Sequence, residues 1–137
     1  MATPSAGEGD GALRRMRILV VEDLKDSAET LALMLRLSGY EVTVAPDGPT
    51  ALRAAEQEQP DVILLDIGLP GMSGHEVAKR LKEKTAGKPA FLIAVTGLGR
   101  GEDRQRSKEA GIDIHLVKPV EPEQLEHLLK KFHRIIG

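Results

Sequence analysis

Apolar and polar residues alternate along this chain in two different patterns, which follow one another five times. Short, mostly apolar runs at residues 18–21, 62–65, 90–95 and 113–117 predict strands, and the uninterrupted apolar run at 62–65 predicts one that is buried on both faces. Residues 41–45 instead alternate polar with apolar side chains, which is typical of a strand at the edge of a sheet. The sequence therefore predicts five short strands.

Between these strands, apolar residues recur at the spacing of helices that bury one face. The stripes are Leu24, Ala28, Leu31 and Leu35 in the first helix, Val77, Ala78 and Leu81 in the third (residues 75–84), and Leu125, Leu128, Leu129, Phe132 and Ile136 in the fifth. Gly39 lies where the first helix should end, and Asp47 lies where a capping residue should open the second, over residues 48–58. The fourth helix, residues 101–110, has almost no apolar stripe, so we expect it to be loosely held.

Strands that alternate with helices are typical of a doubly wound α/β fold, in which helices cover both faces of a parallel sheet. Residues 1–15 are rich in glycine, alanine and small polar residues, and we expect them to form a disordered N-terminal tail. The remaining residues, 16–137, have the length of one ordinary domain.

Composition narrows the classes of function. The chain has no cysteine, which excludes disulfides and thiolate metal sites, and its net charge of −2 gives no basic surface for nucleic acid. No apolar stretch approaches the roughly 20 residues of a membrane span, and the N-terminus lacks the apolar core of a signal peptide. We therefore expect a soluble, cytoplasmic protein with no direct nucleic-acid or membrane partner.

Polar side chains follow four of the predicted strands at the point where each strand ends. Glu22 and Asp23 follow the first strand, Asp66 the third, Thr96 the fourth and Lys118 the fifth. Parallel strands bring these ends to one edge of the sheet, where ligands bind in open α/β folds. Taken alone, Asp66 could equally cap a turn or a helix.

Three carboxylates at one edge repel one another unless a cation lies between them. Since the chain has no thiols and no clustered histidines, the cation that fits is a hard divalent ion such as Mg²⁺. The ammonium of Lys118 and the hydroxyl of Thr96 suit a ligand with several anionic oxygens. Together these groups predict a phosphoryl-transfer site around Asp66.

In these motifs the chain resembles the response-regulator receiver domains of two-component signalling. The similarity covers residues 17–134, and the motifs are Val-Val-Glu-Asp at 20–23, Leu-Leu-Asp-Ile at 64–67, Leu-Pro-Gly-Met-Ser-Gly at 69–74, Ala-Val-Thr-Gly at 94–97 and Lys-Pro at 118–119. Each motif is weak alone, whereas their order and spacing together are specific. The resemblance implies a flavodoxin-like, three-layer α/β/α fold with a five-stranded parallel sheet in the order 2-1-3-4-5.

The resemblance also implies roles for the residues of the site. Asp66 would be the phosphoacceptor, taking a phosphoryl group from a sensor histidine kinase or a phosphotransfer protein. Asp23, Asp66 and the backbone carbonyl of Gly68 would ligate Mg²⁺, with Glu22 acting through a metal-bound water. Phosphorylation would control an output partner. The sequence does not identify this partner, and a homodimer is possible.

Lys118 and Thr96 would each contact a phosphoryl oxygen in such a domain. In the family, inward movement of the threonine shifts the loop after strand four and the face made by helix four, strand five and helix five. The bond between Lys118 and Pro119 would be a cis peptide. The weak apolar stripe of residues 101–110 suits a face that must move at low energetic cost.

The chain departs from the family pattern at a few positions. Glu22 replaces the commoner aspartate, and His115 stands where the switch residue is usually tyrosine or phenylalanine, with an imidazole that can titrate near neutral pH. Gly68 and Leu98 occupy positions that tune dephosphorylation in the family, and the missing side chain of Gly68 should leave water access open. The other three histidines, His75, His127 and His133, are interpreted as surface residues and not as ligands.

Several alternative functions remain to be compared with a signalling module. A phosphatase of the haloacid-dehalogenase type needs a second aspartate two residues after the nucleophile, where this chain has Gly68. A flavin-binding domain needs a hydroxyl-rich phosphate loop after the first strand, where Glu22 and Asp23 would repel phosphate. A receiver that has lost its chemistry would not need the aspartate, threonine and lysine.

The Gly-rich N-terminal residues favour a receiver of the hybrid histidine kinase type, but a stand-alone regulator remains open.

Overall fold

A computed structural model describes residues 15–69, 71–97 and 104–136 of the chain. The strands are β1 Arg17–Val21, β2 Glu41–Ala45, β3 Val62–Asp66, β4 Phe91–Thr96 and β5 Ile114–Val117. The helices are α1 Lys25–Leu37, α2 Gly48–Glu58, α3 Gly74–Lys84, α4 Arg104–Glu109 and α5 Pro122–Ile136. Residues 1–14 of the predicted tail, Leu98 and the first residues of the predicted fourth helix lie outside the described residues.

The five strands form one parallel sheet in the order β2-β1-β3-β4-β5. This confirms both the doubly wound α/β fold and the strand order implied by the resemblance. β3 is buried along its whole length, as its continuous apolar run predicts, and the alternating β2 lies at an edge of the sheet. No helix in the described part of the chain is long and apolar enough to span a bilayer.

Alternate residues of each strand point to opposite faces of the sheet, so the sheet carries two separate apolar cores. One core lies between the sheet and helices α2 and α3, and it includes Leu19, Ile63, Leu81, Leu92 and Ile112. The other lies between the sheet and helices α1 and α5, and it includes Ile18, Leu35, Ile93, Leu125 and Leu129. Both cores are almost entirely aliphatic, which follows from the scarcity of aromatic residues in the sequence.

The first helix differs from its prediction at Leu24. We expected Leu24 in the buried stripe, but it precedes the helix in an extended conformation and is 58% exposed. Its backbone N–H donates a hydrogen bond to a carboxylate oxygen of Glu22, which holds the chain extended before the helix begins. The buried face of α1 consists of Ala28, Ala32 and Leu35.

The signals at the ends of the first two helices are confirmed. Gly39 follows α1 with a φ of +99°, a conformation that favours glycine because a side chain would be strained there. Asp47 caps α2 by accepting a hydrogen bond from the backbone N–H of Thr50 at 2.8 Å. Asp47 is thereby assigned to folding and not to chemistry.

We predict that Leu125→Ala lowers the free energy of unfolding by about 2–5 kcal/mol, because it leaves a cavity where a side chain of 0% exposure packs against the sheet. Urea denaturation of the full chain measures this change. Leu37→Ala is the matched control, since Leu37 is 80% exposed and its loss should change stability by less than about 0.5 kcal/mol. Equal effects of the two substitutions would contradict the assignment of α5 to the core.

Candidate functional site

The carboxyl ends of the central strands carry acidic side chains to one edge of the sheet. Glu22 and Asp23 directly follow β1, and Asp66 is the last residue of β3. The parallel register aligns Val21 of β1 with Leu65 of β3, so the residues that follow each of them come side by side. The fold thus brings together three acidic residues that lie up to 44 positions apart in the sequence.

These three side chains form a compact carboxylate cluster. Oxygen atoms of Glu22, Asp23 and Asp66 lie within 4.8 Å of one another, which makes this the one group in the described part of the chain with the ligands for a metal ion. Asp66 is the most deeply placed, at 7% exposure, whereas Asp23 is exposed. The cluster is therefore open to solvent on one side and enclosed on the other.

Both oxygens of the Asp66 carboxylate accept hydrogen bonds. The backbone N–H of Gly68 donates to Oδ1 at 2.9 Å, and the ammonium of Lys118 donates to Oδ2 at 3.1 Å. The same ammonium lies 3.5 Å from Oε1 of Glu22. Lys118 therefore places a positive charge between two of the three carboxylates.

The position of Lys118 depends on the pairing between the last two strands. Its backbone N–H donates to the carbonyl oxygen of Thr96 at 2.8 Å, which ties the end of β5 to the end of β4. The Lys118–Pro119 peptide bond is cis, as the resemblance implies. Thr96 is buried and lies one residue beyond Val95, the β4 partner of Asp66 in the sheet register.

The electrostatics of the cluster favour the charge on Lys118 but not the charge on Glu22. Burial raises the pKa of Glu22, and the like charge of Asp66 adds to this, while the Leu24 N–H and Lys118 only partly oppose it. Burial would lower the pKa of Lys118, but its hydrogen bond and ion pair with Asp66, together with Glu22, outweigh burial and raise it. Two carboxylates stabilise the charged form of Lys118, whereas Glu22 and Asp66 share the ammonium of Lys118. Negative charge therefore remains in excess within this cluster.

The histidines depart in part from the interpretation of the sequence. His127 is exposed as expected and His133 is half-buried. His75, however, is half-buried, and its Nε2 lies 3.0 Å from the hydroxyl of Ser107 in α4, so its assignment as a surface residue was wrong. His115 reaches the same hydroxyl with its Nε2 at 2.9 Å. No sequence signal pointed to Ser107, because its partners lie on two other elements.

Comparison with known proteins places these observations in a family. Residues 18–130 match the sequence model of the response regulator receiver domain. The chain is 42% identical over 106 residues to the response regulator PleD of Caulobacter vibrioides, an alignment that covers 77% of this chain and 23% of PleD. The chain thus spans about a quarter of the length of that curated relative.

Solved structures show the same fold. The chemotaxis protein CheY4 of Vibrio cholerae superposes with a TM-score of 0.80 at 31% identity, covering 87% of this chain and 99% of that one. The receiver domain of the sensor histidine kinase PA1611 from Pseudomonas aeruginosa superposes with a TM-score of 0.77 at 32% identity, covering 88% and 98%. That domain was solved with a magnesium ion coordinated in its active-site cleft. By its sequence and its fold, this chain belongs to the response-regulator receiver domains of two-component systems.

Proposed function

We propose that this receiver domain takes a phosphoryl group onto Asp66 from a histidine kinase or a phosphotransfer protein, with Mg²⁺ as its cofactor. The observation that carries the proposal is the Lys118 ammonium, 3.1 Å from Asp66 and 3.5 Å from Glu22, inside a cluster of three carboxylates. An ion pair that served only to stabilise the fold would not need the two further carboxylates crowded around it. The phosphorylated domain would then control an output partner.

The proposed reaction is a transfer between two side chains. A carboxylate oxygen of Asp66 attacks the phosphorus of a phosphohistidine, a new O–P bond forms, and the N–P bond breaks. The electron pair of that bond leaves with the donor imidazole, which takes up a proton, and Asp66 becomes an acyl phosphate. Water later attacks the phosphorus, the bond between the Asp66 oxygen and phosphorus breaks, and inorganic phosphate leaves, which restores the carboxylate. The domain therefore modifies its own side chain and does not turn over a small substrate.

The cluster fits the proposed cation. Its three carboxylates offer hard oxygen ligands within 4.8 Å of one another, and the chain contains no thiol that would favour a softer metal. Asp23, Asp66 and the backbone carbonyl of Gly68 would hold Mg²⁺, with Glu22 in contact through water. When bound, the ion would neutralise the charge that develops on the phosphoryl oxygens.

Lys118 and Thr96 would couple phosphorylation of Asp66 to a conformational change in the rest of the domain. The Lys118 ammonium already contacts Oδ2 of Asp66, so a phosphoryl group on this carboxylate would lie within its reach. Thr96 ends the neighbouring strand and would donate its hydroxyl to another phosphoryl oxygen. Because α4 follows β4 in the chain, we infer that movement of Thr96 repositions α4, β5 and α5.

A surface beside Asp66 suits a phosphodonor protein. An open groove of about 720 Å³ runs from Asp66 and Lys118 along α1, and its lining is largely apolar. It includes Leu24, Leu31 and Val120, and the 58% exposure of Leu24 adds to its apolar rim. A helix that presents a phosphohistidine could bury its apolar face here while the phosphoryl group reaches the carboxylate.

We predict that incubation with Mg²⁺ and acetyl phosphate adds one phosphoryl group to the full chain, as measured by intact mass. Asp66→Asn should abolish this addition because it removes the attacking carboxylate, and a chelator should prevent it in the unsubstituted protein. Asp47→Asn is the matched control, since asparagine also caps helices well and Asp47 lies outside the cluster. Undiminished modification of the Asp66→Asn variant would contradict the assignment.

Lys118→Ala should still accept some phosphate but should lose the conformational response. We expect hydrogen exchange in α4 to change on phosphorylation of the unsubstituted protein and to stay constant in the variant. The reason is that the phosphoryl group in the variant no longer has an ammonium to contact. Lys130→Ala, at an exposed position on α5, is the control. A normal response in Lys118→Ala would remove Lys118 from the switch.

Glu22→Gln should stabilise the metal-free protein at neutral pH, because the raised pKa of Glu22 means that folding disfavours its ionised form. The difference in stability between the variant and the unsubstituted protein should be largest at neutral pH. It should vanish as the pH falls through the raised pKa of Glu22 towards the usual value of 4.5. Thermal unfolding with a chelator present measures this, with the exposed Glu29→Gln as control, and added Mg²⁺ should narrow the gap. A variant that unfolds at a lower temperature would contradict the excess of negative charge.

A further inference from the structure

A second polar cluster lies away from the carboxylates and has no part in the proposed transfer. Ser107 of α4 is 1% exposed, and its hydroxyl is approached by two imidazoles from different elements. Nε2 of His75, in α3, lies 3.0 Å from Oγ, and Nε2 of His115, in β5, lies 2.9 Å from the same oxygen. One buried hydroxyl therefore joins three separate elements of the fold.

The numbers of protons in this cluster restrict how it can be bonded. A hydroxyl donates one hydrogen bond and accepts two, while Nε2 of a neutral imidazole is either a donor or an acceptor. If Ser107 donates to one histidine, the other must donate to Ser107. If Ser107 donates elsewhere, both histidines must donate to it. In every case at least one imidazole carries a proton on Nε2, so the bridge requires the hydroxyl oxygen as an acceptor.

This bridge matters because α4 has little apolar contact of its own. The helix has six residues, and the apolar side chains that it brings to the core, Ala110 and Ile112, lie just beyond its C-terminal end. The backbone N–H of Ile112 donates to the carbonyl oxygen of Ser107 at 3.0 Å, so Ser107 is bonded through both its main chain and its side chain. In the middle of the described helix, a polar contact takes the place that an apolar stripe would normally fill.

The bridge also lies on the same face of the sheet as Thr96, a residue of the proposed phosphorylation site. His115 pairs with Ala94 in the register of β4 and β5, and Ala94 belongs to the core that α2 and α3 cover. Thr96 lies two residues beyond Ala94, so its side chain points to the same face. Thr96 and His115 are therefore neighbours on the surface against which α4 packs.

We propose that the His75–Ser107–His115 bridge is a polar latch that holds α4 against α3 and β5, and that opening it releases α4. An imidazole at position 115 can bond to the hydroxyl, whereas the phenylalanine common at this position in the family could not. The regulatory part of this inference rests on the proposed function: phosphorylation of Asp66 would move Thr96 and α4, and such a movement would have to open or rearrange the latch.

The direct test is hydrogen exchange of the unphosphorylated full chain carrying Ser107→Ala. We expect the amides of α4 and of Ile112 to exchange at least roughly three- to tenfold faster, because one net hydrogen bond accounts for this factor and the substitution removes the contacts to both histidines. Alanine is the better helix former, so helix propensity alone would slow exchange. His127→Ala, at an exposed position on α5, should leave α4 unchanged. Unchanged or slower exchange in Ser107→Ala would overturn the latch.

A double-mutant cycle tests whether the three side chains act as one unit. His115→Phe should accelerate exchange in α4 because it removes one of the two contacts of the hydroxyl, and the double variant should exchange about as fast as Ser107→Ala, which already removes both contacts. Additive accelerations would show that the two residues act independently and would refute the latch. Should His115→Phe fail to fold, His75→Ala provides the same comparison from the other side of the bridge.

The latch and the proposed function fail in distinguishable ways. Ser107→Ala should accelerate exchange equally in an Asp66→Asn background, where the proposed phosphoacceptor is absent. If acetyl phosphate modifies Asp66 but Ser107→Ala leaves α4 unchanged, the latch alone is refuted. If Ser107→Ala accelerates exchange but phosphorylation of the unsubstituted protein does not, the latch holds α4 and its regulatory role is refuted.

Discussion

One electrostatic constraint shapes the edge of this sheet: oxygens of three carboxylates lie within 4.8 Å of one another, and in the described part of the chain Lys118 is the ammonium that pairs with two of them. Lys118 contacts Asp66 and Glu22, yet the pKa of Glu22 remains raised because burial and the charge of Asp66 outweigh that contact. The fold therefore keeps an excess of negative charge that its own cation does not neutralise. A site of this kind can gain stability from a divalent ion and, once it holds one, can accept an anionic group.

The architecture holds the three carboxylates in place because they end or directly follow β1 and β3, each of which packs against both cores. Leu19 and Ile63 pack on one face of the sheet, and Ile18 packs on the other, so the central strands cannot shift without loss of burial on both sides. Lys118 is attached to the same sheet through its backbone bond to Thr96. The two largely aliphatic cores thus set the distances among the charged groups at the edge.

Much of this could be predicted from the sequence. Apolar runs that end in Asp66 and in Lys118 identified strand ends, and parallel pairing brings such ends to a single edge whatever the details of packing. The family resemblance that the motifs carry then implied the strand order. Leu24 was misplaced because helical spacing does not reveal that the Glu22 carboxylate holds the preceding backbone extended. Local patterns thus predict elements and edges better than they predict the residue at which an element begins.

The sequence also showed that residues 101–110 lack an apolar stripe, but it could not show what replaces one. Ser107 is 32 positions from His75 and 8 from His115, and no periodic pattern connects them. The contact arises only when α3, α4 and β5 assemble. A buried polar contact between distant residues is the kind of interaction that sequence patterns miss, and here it joins the helix that we expect to move to the elements on either side.

The most direct test of the central claim is calorimetric titration of the full chain with Mg²⁺ at neutral pH. The account predicts that one ion binds, that Asp23→Asn and Asp66→Asn each weaken binding strongly, and that Asp26→Asn, an exposed change in the first turn of α1, does not. No binding by the unsubstituted protein, or binding that survives the loss of both cluster aspartates, would contradict the account.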